Sequence, residues 1–494
     1  MPTLLDVLAA GDASHQALVI PDGPSFTYSE LRQRVAAAAD LLAAHGLGRG
    51  DRIALVYPNC AEAVVLFLAA AACGTACPLN PAYKEDEFRF YLEDTGARAL
   101  LVPPGGGEEA RRAAGDGVVV IEAAIEPGGA ITMTSIRRRS SATAAQPGEE
   151  DVALVVHTSG TTSRPKIVPL KQRNLAASVA NIIPGYQLTD ADVSVCVMPL
   201  FHVHGLVAST LATFGSGGTV VVPKFSPMAF WPVVKEHRAT WYSAVPTIHQ
   251  MLLMRGGSER PAGSEGLRFI RSCSSALAPA TMAQLEERFG APVLEAYGMS
   301  EAAHQMASNP LPPEPRLPGS VGRGTGVRIG IMDAAGELQP VGAPGEVVIQ
   351  GPNVITGYEA NPEANASSFT DGWFRTGDQG TLDASGYLRL IGRLKEMINR
   401  GGEKIAPGEI DEALLKHPAV GEAVAFGVPH PTWGEEVAAA VVLKGEASER
   451  ELIRHCRDLL AEFKVPKRIH VVEQIPRTAT GKIQRRNVAA TFSG

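Results

Sequence analysis

The chain has 494 residues, and at roughly 150 residues per domain this length corresponds to about three structural units. Its composition, 45% hydrophobic and 20% charged with 51 glycines and 36 prolines, excludes a mainly disordered protein and predicts a folded, loop-rich one. The formal charge of −7 gives no overall positive field for nucleic acid or an anionic membrane, so any phosphate site would have to be local.

The cysteines and the chain ends give the first indication of location. The six cysteines stand singly, without a CxxC pair, which favours a reducing compartment. The N-terminal stretch contains Asp6 and Asp12 and has no basic segment, so it is unlike a secretory signal. No apolar run reaches the roughly 18 residues of a membrane span, and the C-terminal TFSG is not a peroxisomal address. We therefore predict a cytoplasmic protein without a membrane span and without a nucleic-acid partner.

Short β-branched runs alternate with Ala- and Leu-rich helical patterns along the first part of the chain. This alternation predicts an α/β fold with buried parallel strands. The predicted helices span residues 29–45 and 61–72, and the predicted strands span residues 53–57, 99–102, 118–121, 152–156, 193–198, 219–222 and 293–296. Residues 125–150 have little apolar pattern and are expected to form a long surface connection. Its Arg137, Arg138 and Arg139 are better explained as solvated than as an anion site.

The pattern changes towards the C-terminus, where a compact unit is predicted. Its helices are expected at residues 407–417 and 448–463, and its strands at residues 423–427, 436–443 and 469–472. In the second helix apolar residues recur every three or four positions, which gives one apolar stripe with charges opposite. These elements predict a small α+β domain of roughly 100 residues, and the charged stretch 392–396 before it is expected to be a hinge.

The strongest local signal is the loop HTSGTTSRPK, residues 157–166, which follows the predicted strand 152–156. Its glycine and hydroxyl side chains offer many N–H and O–H donors, and Lys166 adds a positive charge, as a polyphosphate site needs. The Walker A spacing is absent, which argues against a P-loop NTPase. By itself the loop is also compatible with an ordinary turn between a strand and a helix.

Five further motifs follow this loop in order, and the set resembles the adenylate-forming acyl-CoA synthetase superfamily, which includes luciferases and peptide-synthetase adenylation domains. The motifs are MPLFHVHG (198–205), EAYGMSEA (295–302), GWFRTGD (372–378), GRLKEMINRGGEKIAP (392–407) and PRTATGKIQR (476–485). The resemblance implies an α/β fold whose large N-terminal domain, residues 1–391, has several subdomains of parallel-type sheets and helices. A hinge at 392–396 and a small mobile α+β C-terminal domain, residues 397–494, would follow, with the active site between the domains.

The resemblance assigns the glycine-rich loop to the β and γ phosphates of ATP, where its donors would stabilise the departing pyrophosphate. The residues implied are Thr158, Ser159, Gly160, Thr161, Thr162 and Lys166. Ser163 and Arg164 replace the commoner Gly-x of the family, and Ile167 replaces a glycine. These changes predict a stiffer loop, because glycine's extra backbone freedom is lost.

The same resemblance implies roles for residues of three later motifs. Tyr297 would pack on the adenine, Ser300 would contact the α-phosphate, and Glu301 would hold a Mg²⁺ that bridges phosphate oxygens. Asp378 would accept hydrogen bonds from both ribose hydroxyls, and Arg393 would contact ribose or phosphate. Outside this set, Glu301 would be explained as a solvated carboxylate and Asp378 as an Asx-turn residue.

The implied reaction has two steps and uses ATP, Mg²⁺ and CoA. The acid's carboxylate attacks the α-phosphate to give acyl-AMP and pyrophosphate, and the CoA thiol then displaces AMP. Lys482 would neutralise charge in the first step. Rotation of the small domain about Lys395 would then replace Lys482 by Gly401, Gly402 and Lys404, which would line the path of the pantetheine thiol.

Several stretches are more similar to the oxalate–CoA ligase branch of the family, among them SRPKIVPL, MPLFHVHGL, RSCSSALAP and EAYGMSEAAHQM. This resemblance implies that polar side chains meet the far carboxylate of the acid, and we nominate His204, Ser275 and His304, with His202 nearby. A buried second carboxylate needs such paired donors. The alternatives are that these histidines are hydrogen-bonded wall residues or, less favoured because further ligands are missing, that His202 and His204 bind zinc.

One departure leaves the acid open. The branch reads Cys-Ser-Ala-Ser-Leu where this chain has Cys273, Ser274, Ser275, Ala276 and Leu277, so one hydroxyl has moved by a position. If the residue at position 276 contacts the acid, that residue is an alanine in this chain and has no hydroxyl to donate. A medium- or long-chain fatty acid, and thus a role in fatty acid metabolism, is therefore the alternative to oxalate, with malonate or another short acid also open.

Other classes within the superfamily are less well supported. Only 12 residues follow Lys482, which leaves no room for the carrier domain of a peptide synthetase, and no motif indicates luciferase-like oxygen chemistry. A non-catalytic nucleotide-binding protein would be expected to lack some of the charged site residues, and all five are present: Lys166, Glu301, Asp378, Arg393 and Lys482. We therefore predict an acid–thiol ligase that acts as a monomer or a homodimer.

Overall fold

A computed structural model of the chain describes residues 2–135, 142–158, 165–255, 259–478 and 482–492. The arginine run 137–139 lies outside these residues. The described elements fall into a large part that ends at Arg393 and a small part that follows it.

The elements of the large part alternate between helices and strands over most of its length. In chain order they are α1 (Leu4–Ala9), β1 (Gln16–Val19), β2 (Ser25–Thr27), α2 (Tyr28–Ala44), β3 (Arg52–Leu55), α3 (Ala61–Cys73), β4 (Thr75–Pro78), α4 (Glu85–Thr95), β5 (Ala99–Val102), α5 (Glu108–Ala113), β6 (Val119–Ile125), β7 (Ile131–Thr134), β8 (Val152–Thr158), β9 (Lys166–Lys171), α6 (Gln172–Gly185), β10 (Val193–Cys196), the π-helix His204–Leu211 running into α7 (Ala212–Gly215), β11 (Thr219–Val221), α8 (Phe230–Glu236), β12 (Trp241–Ala244), α9 (Pro246–Arg255), β13 (Phe269–Ser272), α10 (Pro279–Phe289), β14 (Val293–Met299), the 3-10 turn Ser300–Ala302, β15 (His304–Ser308), β16 (Arg323–Gly324), β17 (Arg328–Met332), β18 (Gly345–Gln350), α11 (Pro362–Ser368), β19 (Phe369–Thr370), β20 (Trp373–Leu382) and β21 (Leu388–Arg393).

The small part begins after a 3-10 turn at Leu394–Glu396. Its elements are β22 (Ile398–Arg400), β23 (Glu403–Ile405), α12 (Pro407–Leu415), β24 (Val420–His430), β25 (Gly434–Leu443), α13 (Glu449–Leu459), β26 (Arg468–Val471) and α14 (Arg485–Phe492).

Two mostly parallel sheets form the bulk of the large part. The first has seven strands in the order β7-β6-β5-β3-β4-β8-β9, parallel from β6 to β8 and antiparallel at both edges. The second has nine strands in the order β16-β15-β14-β13-β12-β10-β11-β1-β2, parallel from β14 to β1 and antiparallel at both ends. A third sheet, antiparallel throughout, contains β17 to β21.

Local sequence explains why the helices between these strands form where they do. α2 begins with a capping box, in which the Thr27 hydroxyl accepts from Glu30 N–H (3.3 Å) and the Glu30 carboxylate accepts from Thr27 N–H (2.8 Å). α3 is buried at every position except Glu62, as its nearly uniform apolar sequence dictates. It packs against α1, α2 and strands of the seven-stranded sheet, and so joins several elements into one core.

The small part is a five-stranded sheet with apolar clusters on both faces. Its strands lie in the order β23-β22-β25-β24, and β26 pairs parallel to β25. Alternate residues of β24 point to opposite faces. Ala423 and Ala425 pack with α12 and α13, whereas Val424 and Phe426 pack with α14. This arrangement is the predicted small α+β domain.

The nine-stranded sheet determines where a ligand site can lie. β10, β12, β13 and β14 are parallel neighbours, so the segments that follow them emerge at one edge. Ligands of open α/β sheets bind outside the carboxyl ends of such strands. The MPLFHVHG, SCSSAL and GMSEA segments all begin at this edge.

The predicted fold class is confirmed: the large part has mixed α/β layers and the small part is α+β. One prediction about the connection 125–150 was wrong in part. Ile131–Thr134 forms β7, which pairs antiparallel with β6 at the edge of the seven-stranded sheet. In this strand only Met133 is buried, which explains why the sequence lacks a clear apolar signal. The predicted helix 448–463 ends at Leu459, where the chain turns extended at Leu460.

Among the helices within the described ranges, none is both long and apolar enough to cross a membrane.

A buried carboxyl in β14 provides a test of this packing. Glu295 is 5% exposed and accepts from Gly319 N–H (3.1 Å). Burial, with a smaller contribution from the nearby Glu412 carboxylate, raises the pKa of Glu295 to about 8, although Gly319 and Arg389 act in the opposite direction. The carboxyl is therefore protonated in the folded protein at pH values where it is ionised in the unfolded chain.

We expect Glu295 to destabilise the folded protein as the pH rises from 4.5 towards 8. The first value is the ordinary pKa of a glutamate, and the second is about the pKa of Glu295 in the folded protein. Folding takes up a proton in this window, so deprotonation there favours the unfolded chain. Glu295→Gln removes the titrating group, and the melting temperature of wild type should fall relative to this variant by a few degrees between pH 5 and pH 8. Calorimetry checks this, with the exposed Glu287→Gln as control; parallel pH profiles of wild type and Glu295→Gln would contradict it.

Candidate active site

A buried arginine, Arg271, lies at the centre of the candidate acid pocket. It stands in β13 and is fully buried. Its guanidinium donates to the Tyr186 hydroxyl (Nε to Oη, 2.8 Å), to the Gln305 amide oxygen (Nη2 to Oε1, 2.9 Å) and to the Ser243 hydroxyl (Nη1 to Oγ, 3.0 Å). Two histidine rings lie beside it, with Nη1 3.3 Å from His204 Nε2 and Nη2 3.4 Å from Nδ1 of His304.

All of these partners are uncharged. Within the part of the chain that the structure describes, no carboxylate is paired with Arg271. A buried charge without a counter-ion is costly, and the hydrogen bonds compensate only part of that cost. The surroundings of Arg271 are therefore suited to an anion that comes from outside the chain.

His204 is oriented by hydrogen bonds at both ring nitrogens. Its Nε2 lies 2.6 Å from the Ser243 hydroxyl, and its Nδ1 lies 3.1 Å from the Ser274 hydroxyl. Because Arg271 can only donate, Nε2 must be the accepting nitrogen, which assigns the proton of the neutral ring to Nδ1. The Ser274 oxygen then accepts from His204, so its own proton is available for a ligand.

His304 and Ser274 have unusual backbone conformations. His304 has φ +98° and Ser274 has φ +76°, and Ala303 before His304 has φ +47°. Residues other than glycine rarely adopt these values, and each costs of the order of 1–3 kcal/mol. Such strain is concentrated at functional sites, and here it holds the two side chains beside His204.

The structure brings His202, His204 and His304 together but corrects the serine that was nominated with them. The rings of His204 and His304 are 5.0 Å apart, and His202 Nδ1 accepts from His204 N–H (3.2 Å). Ser275 is exposed, and its hydroxyl donates to the carbonyl oxygen of Ser274 (2.9 Å). Ser274 occupies the pocket position instead, because its positive φ turns the chain so that the next residue points outward.

The histidines are neutral in the protein. Burial, with the charge of Arg271 second, holds the pKa of His204 and of His304 well below the usual value. Burial and the charge of Lys482 lower the pKa of His202 to about 3. The pocket thus combines one fixed positive charge with uncharged ring N–H donors.

A second group of residues matches the expected nucleoside site. Asp378 in β20 is buried, and one carboxylate oxygen pairs with Arg393 (Nε to Oδ1, 3.0 Å) across the β20–β21 ladder. The other oxygen accepts from the hydroxyl of the buried Tyr297. Asp378 is therefore held in place through both of its carboxylate oxygens. A carboxylate fixed in this way can accept further hydrogen bonds from the hydroxyls of a ligand.

Glu301 and Lys166 lie close together beside this group. Glu301 follows Ser300 in the 3-10 turn after β14; both are buried, and its carboxylate accepts from the Tyr358 hydroxyl (Oη to Oε1, 2.8 Å). Lys166 Nζ lies 4.3 Å from the centre of the Tyr358 ring. Burial lowers the pKa of Lys166, as does the nearby Lys395, whereas Glu301 raises it.

The carboxylate of Glu301 fits a magnesium ion. Mg²⁺ takes oxygen ligands and is held by one or two carboxylates while phosphates and waters complete its shell. Across the described ranges, no group of three or more His, Cys, Asp and Glu side chains is arranged to hold a metal. The residues present therefore suit an ion that arrives with a nucleotide better than one held by the protein alone.

The glycine-rich loop lies between two strands that form a hairpin. Thr158 ends β8, Lys166 begins β9, and the two residues pair across the ladder. Ser159, Gly160, Thr161 and Thr162, which were assigned to the phosphates, lie outside the described residues. Of the described ends, Lys166 lies near the Glu301 carboxylate.

Lys482 lies near these residues although it belongs to the small domain. Burial and the charge of Arg393 lower its pKa, while Cys273, Asp378 and Glu301 act in the opposite direction. Its backbone is fixed by Thr478, whose N–H donates to the Lys482 carbonyl (2.8 Å) and whose hydroxyl accepts from Lys482 N–H (3.1 Å). The ammonium is therefore close enough to the nucleoside residues and to the histidines to affect the pKa values of His202 and His204.

The residues assigned to CoA are not part of this cluster. Gly401 and Gly402 form the exposed turn between β22 and β23, with φ +61° and +99°, and the exposed Lys404 follows them. A side chain at Gly401 would meet the Trp433 ring at 2.8 Å, so glycine is required there. Lys395, in the turn Leu394–Glu396 between the two parts, is also exposed.

Sequence reasoning missed two residues of the site. Arg271 is the one charged residue of the buried strand FIRS. A single charge in a buried strand is rare, and it could have indicated a functional residue from the sequence. Tyr358 follows β18 in an irregular segment, and only the fold brings it to Glu301. No spacing in the sequence indicates that contact.

An acid pocket and a nucleoside site that share one lysine define an enzyme that activates an acid with a nucleotide. A model of the AMP-binding enzyme family matches residues 5–359, and a model of the AMP-binding enzyme C-terminal domain matches residues 409–482. The chain therefore belongs to the AMP-binding enzyme family, which confirms the superfamily indicated by the motifs.

Individual relatives match over nearly the whole chain. The chain is 47% identical to the oxalate–CoA ligase of Arabidopsis thaliana, over 99% of this chain and 98% of that one. Among solved structures it is similar to ATP-bound MatB from Rhodopseudomonas palustris, with a TM-score of 0.89, 31% identity and 99% of both chains covered. For apo MatB, at the same identity and coverage, the TM-score is 0.78.

The neutrality of the three histidines is directly testable. Imidazole ¹⁵N resonances of the unliganded protein, assigned with single His→Gln variants, should show no titration of His202, His204 or His304 between about pH 5.5 and about pH 8. The reason is burial beside fixed positive charges, which disfavours a further cation. A titration midpoint near the usual histidine value for any of the three would contradict this account of the pocket.

Proposed function

We propose that this protein is an AMP-forming acid–CoA ligase whose acid is oxalate. In the first step a carboxylate oxygen of oxalate attacks the α-phosphorus of ATP, a P–O bond forms, and pyrophosphate leaves. In the second step the sulfur of CoA attacks the activated carbonyl carbon, a C–S bond forms, and AMP leaves with the electron pair of the broken C–O bond. The products are oxalyl-CoA, AMP and pyrophosphate.

The observation that carries the choice of acid is the unpaired, buried guanidinium of Arg271. A small dianion that presents one carboxylate to ATP has a second carboxylate to place in the protein. Arg271, with donors from Ser274 and the neutral histidines, supplies the charge and hydrogen bonds which that group needs. A fatty acid would instead place an apolar chain against this charge, which favours oxalate over the longer acids.

The nucleotide is proposed to bind along the neighbouring residues. Asp378 would accept from the ribose hydroxyls, Arg393 would contact ribose or phosphate, and Tyr297 would pack on the adenine. Ser300 would contact the α-phosphate. The identity with an oxalate–CoA ligase and the likeness to an ATP-bound structure support this use of the site.

Charge neutralisation is proposed for Glu301, Lys166 and Lys482. Mg²⁺ held by Glu301 would offset the charge of the phosphate oxygens. Thr158 and Lys166, with Ser159, Gly160, Thr161 and Thr162 between them, would hold the β and γ phosphates. Lys482 would stabilise the α-phosphate as it becomes five-coordinate; burial lowers its pKa, so its proton is bound less firmly than that of an exposed lysine.

The second step is proposed to use a different face of the small domain. Rotation about the hinge 392–396, between domains 1–391 and 397–494, would withdraw Lys482 and bring Gly401, Gly402 and Lys404 to the site. Lys395 would be the pivot. The separation of these residues from the cluster, and the higher similarity to ATP-bound than to apo MatB, are consistent with an arrangement for the first step.

The cysteines support a location for the protein. All six cysteines, each within the described ranges, are free thiols, which supports work in the reducing cytoplasm. We further propose that the protein acts as a monomer or a homodimer.

The first experiment is CoA-dependent AMP release with ATP and Mg²⁺ across oxalate, malonate, acetate, octanoate and palmitate. We expect oxalate to give the highest kcat/KM, and Arg271→Met to lower it by at least about 10²-fold because a buried carboxylate loses its counter-ion. The affinity for ATP, measured by calorimetry, is the control and should not change. A preference for octanoate or palmitate would contradict the proposed acid, and a preference for malonate would redefine it as a longer dianion.

Lys482→Ala is expected to lower the rate of pyrophosphate release by at least ~10²-fold, because a preorganised charge is lost from the transition state. The reaction of separately prepared oxalyl-AMP with CoA should be much less affected, since Lys482 would act only in the first step. Adenylation that continues unchanged in Lys482→Ala would refute this role.

A further inference from the structure

The turn that carries Lys482 is held by residues on both of its sides. Thr478 bonds to Lys482 as described above, and Arg477 and Ile483 form a β-bridge just outside that pair. Arg477 therefore lies at the base of the Lys482 turn, and a contact that fixes Arg477 also fixes the position from which Lys482 projects.

Two contacts of Arg477 reach different parts of the protein. Its Nη2 pairs with Glu422 in β24 of the small domain (2.8 Å to Oε2). Its Nη1 donates to the Thr247 hydroxyl in α9 of the large domain (2.6 Å to Oγ1). One guanidinium thus joins the small domain to the large one, while the ion pair keeps it in a fixed direction.

Thr247 is well placed to receive this contact. It is 7% exposed and lies at the second position of α9, three residues after the end of β12. In β12, Ser243 bonds to His204 and Arg271. The contact therefore sits on the segment that forms one wall of the acid pocket.

We infer that the Arg477–Thr247 hydrogen bond is a docking contact that positions Lys482 for the first step and is broken before the second. The inference rests on the proposed two-step function. Both residues are positioning residues, since they act through Lys482. The Glu422 ion pair moves with the small domain and survives its rotation, whereas Thr247 stays with the large domain.

The energy of such a bond sets the expected size of the effect. A hydrogen bond between a charged donor and a buried hydroxyl is worth enough to shift a two-state equilibrium by roughly tenfold. Loss of the bond should therefore lower the ratio of the adenylating arrangement to the other arrangement by about that factor, and the first rate falls by as much when the adenylating arrangement is the less populated one. It should not lower the population of the arrangement used for thioester formation.

The test measures the two half-reactions separately in Thr247→Val. The first is pyrophosphate release from ATP and oxalate, and the second is AMP release from prepared oxalyl-AMP and CoA. We expect the first rate to fall roughly tenfold and the second to stay within about twofold of wild type. Damage to the fold would lower both rates together, so the split separates positioning from a merely structural role.

A second variant tests the same contact independently, in case Thr247→Val does not fold. Arg477→Lys keeps the charge, but its single nitrogen cannot serve Glu422 and Thr247 as the guanidinium does, so it should show the same split. The double variant should lose no more than the more impaired single variant, because both remove one bond. Thr491→Val, at an exposed position of α14, is the matched control and should behave as wild type.

The outcomes separate this inference from the proposed function. If wild type forms no pyrophosphate with oxalate or any other acid of the panel, the proposed function fails and the inference with it. If wild type performs both half-reactions but Thr247→Val and Arg477→Lys slow them equally, or slow neither, the docking contact is wrong and the proposed function stands.

Discussion

The buried guanidinium of Arg271 is the constraint on which the acid side of the active site depends. It lies inside a parallel sheet, where a charge is costly, and its neighbours among the described residues supply hydrogen bonds but no carboxylate. Burial, with this charge as the second cause, holds the pKa of His204 and of His304 well below the usual value. The strained backbone at His304 and Ser274 holds those partners in place. A local cost in stability thus accompanies a site that is suited to an anion.

The sheet order explains how this acid pocket comes to lie beside a nucleotide site. Strands β10, β12, β13 and β14 release their following segments at one edge, where the histidines, Ser274 and Glu301 collect. Asp378 and Arg393 come from the separate antiparallel sheet, and Lys482 from the small domain. Residues of two sheets of the large part and of the small domain therefore meet at the candidate site. Such an arrangement allows the small domain to move without disturbing the two sheets.

Much of this could be predicted from the sequence, and the failures have physical reasons. The sequence predicted the buried strands because parallel strands are apolar throughout. It did not predict β7, because an edge strand with one buried residue lacks that pattern. The motifs indicated the nucleotide residues and the histidines. They could not tell Ser274 from Ser275, because only a positive φ decides which of two adjacent serines faces inward. The Arg477–Thr247 contact joins residues 230 positions apart, and neither residue type signals a partner.

The π-helix that begins at His204 has a consequence for how this pocket could change. A π-helix has i→i+5 hydrogen bonds and so holds more residues per turn than an α-helix, and it is frequently found at functional sites. Removing one residue between Gly205 and Leu211 would allow an ordinary helix to form and would rotate His204 away from Arg271. Acid preference could thus change through the loss of a single codon, with every side chain of the pocket left intact.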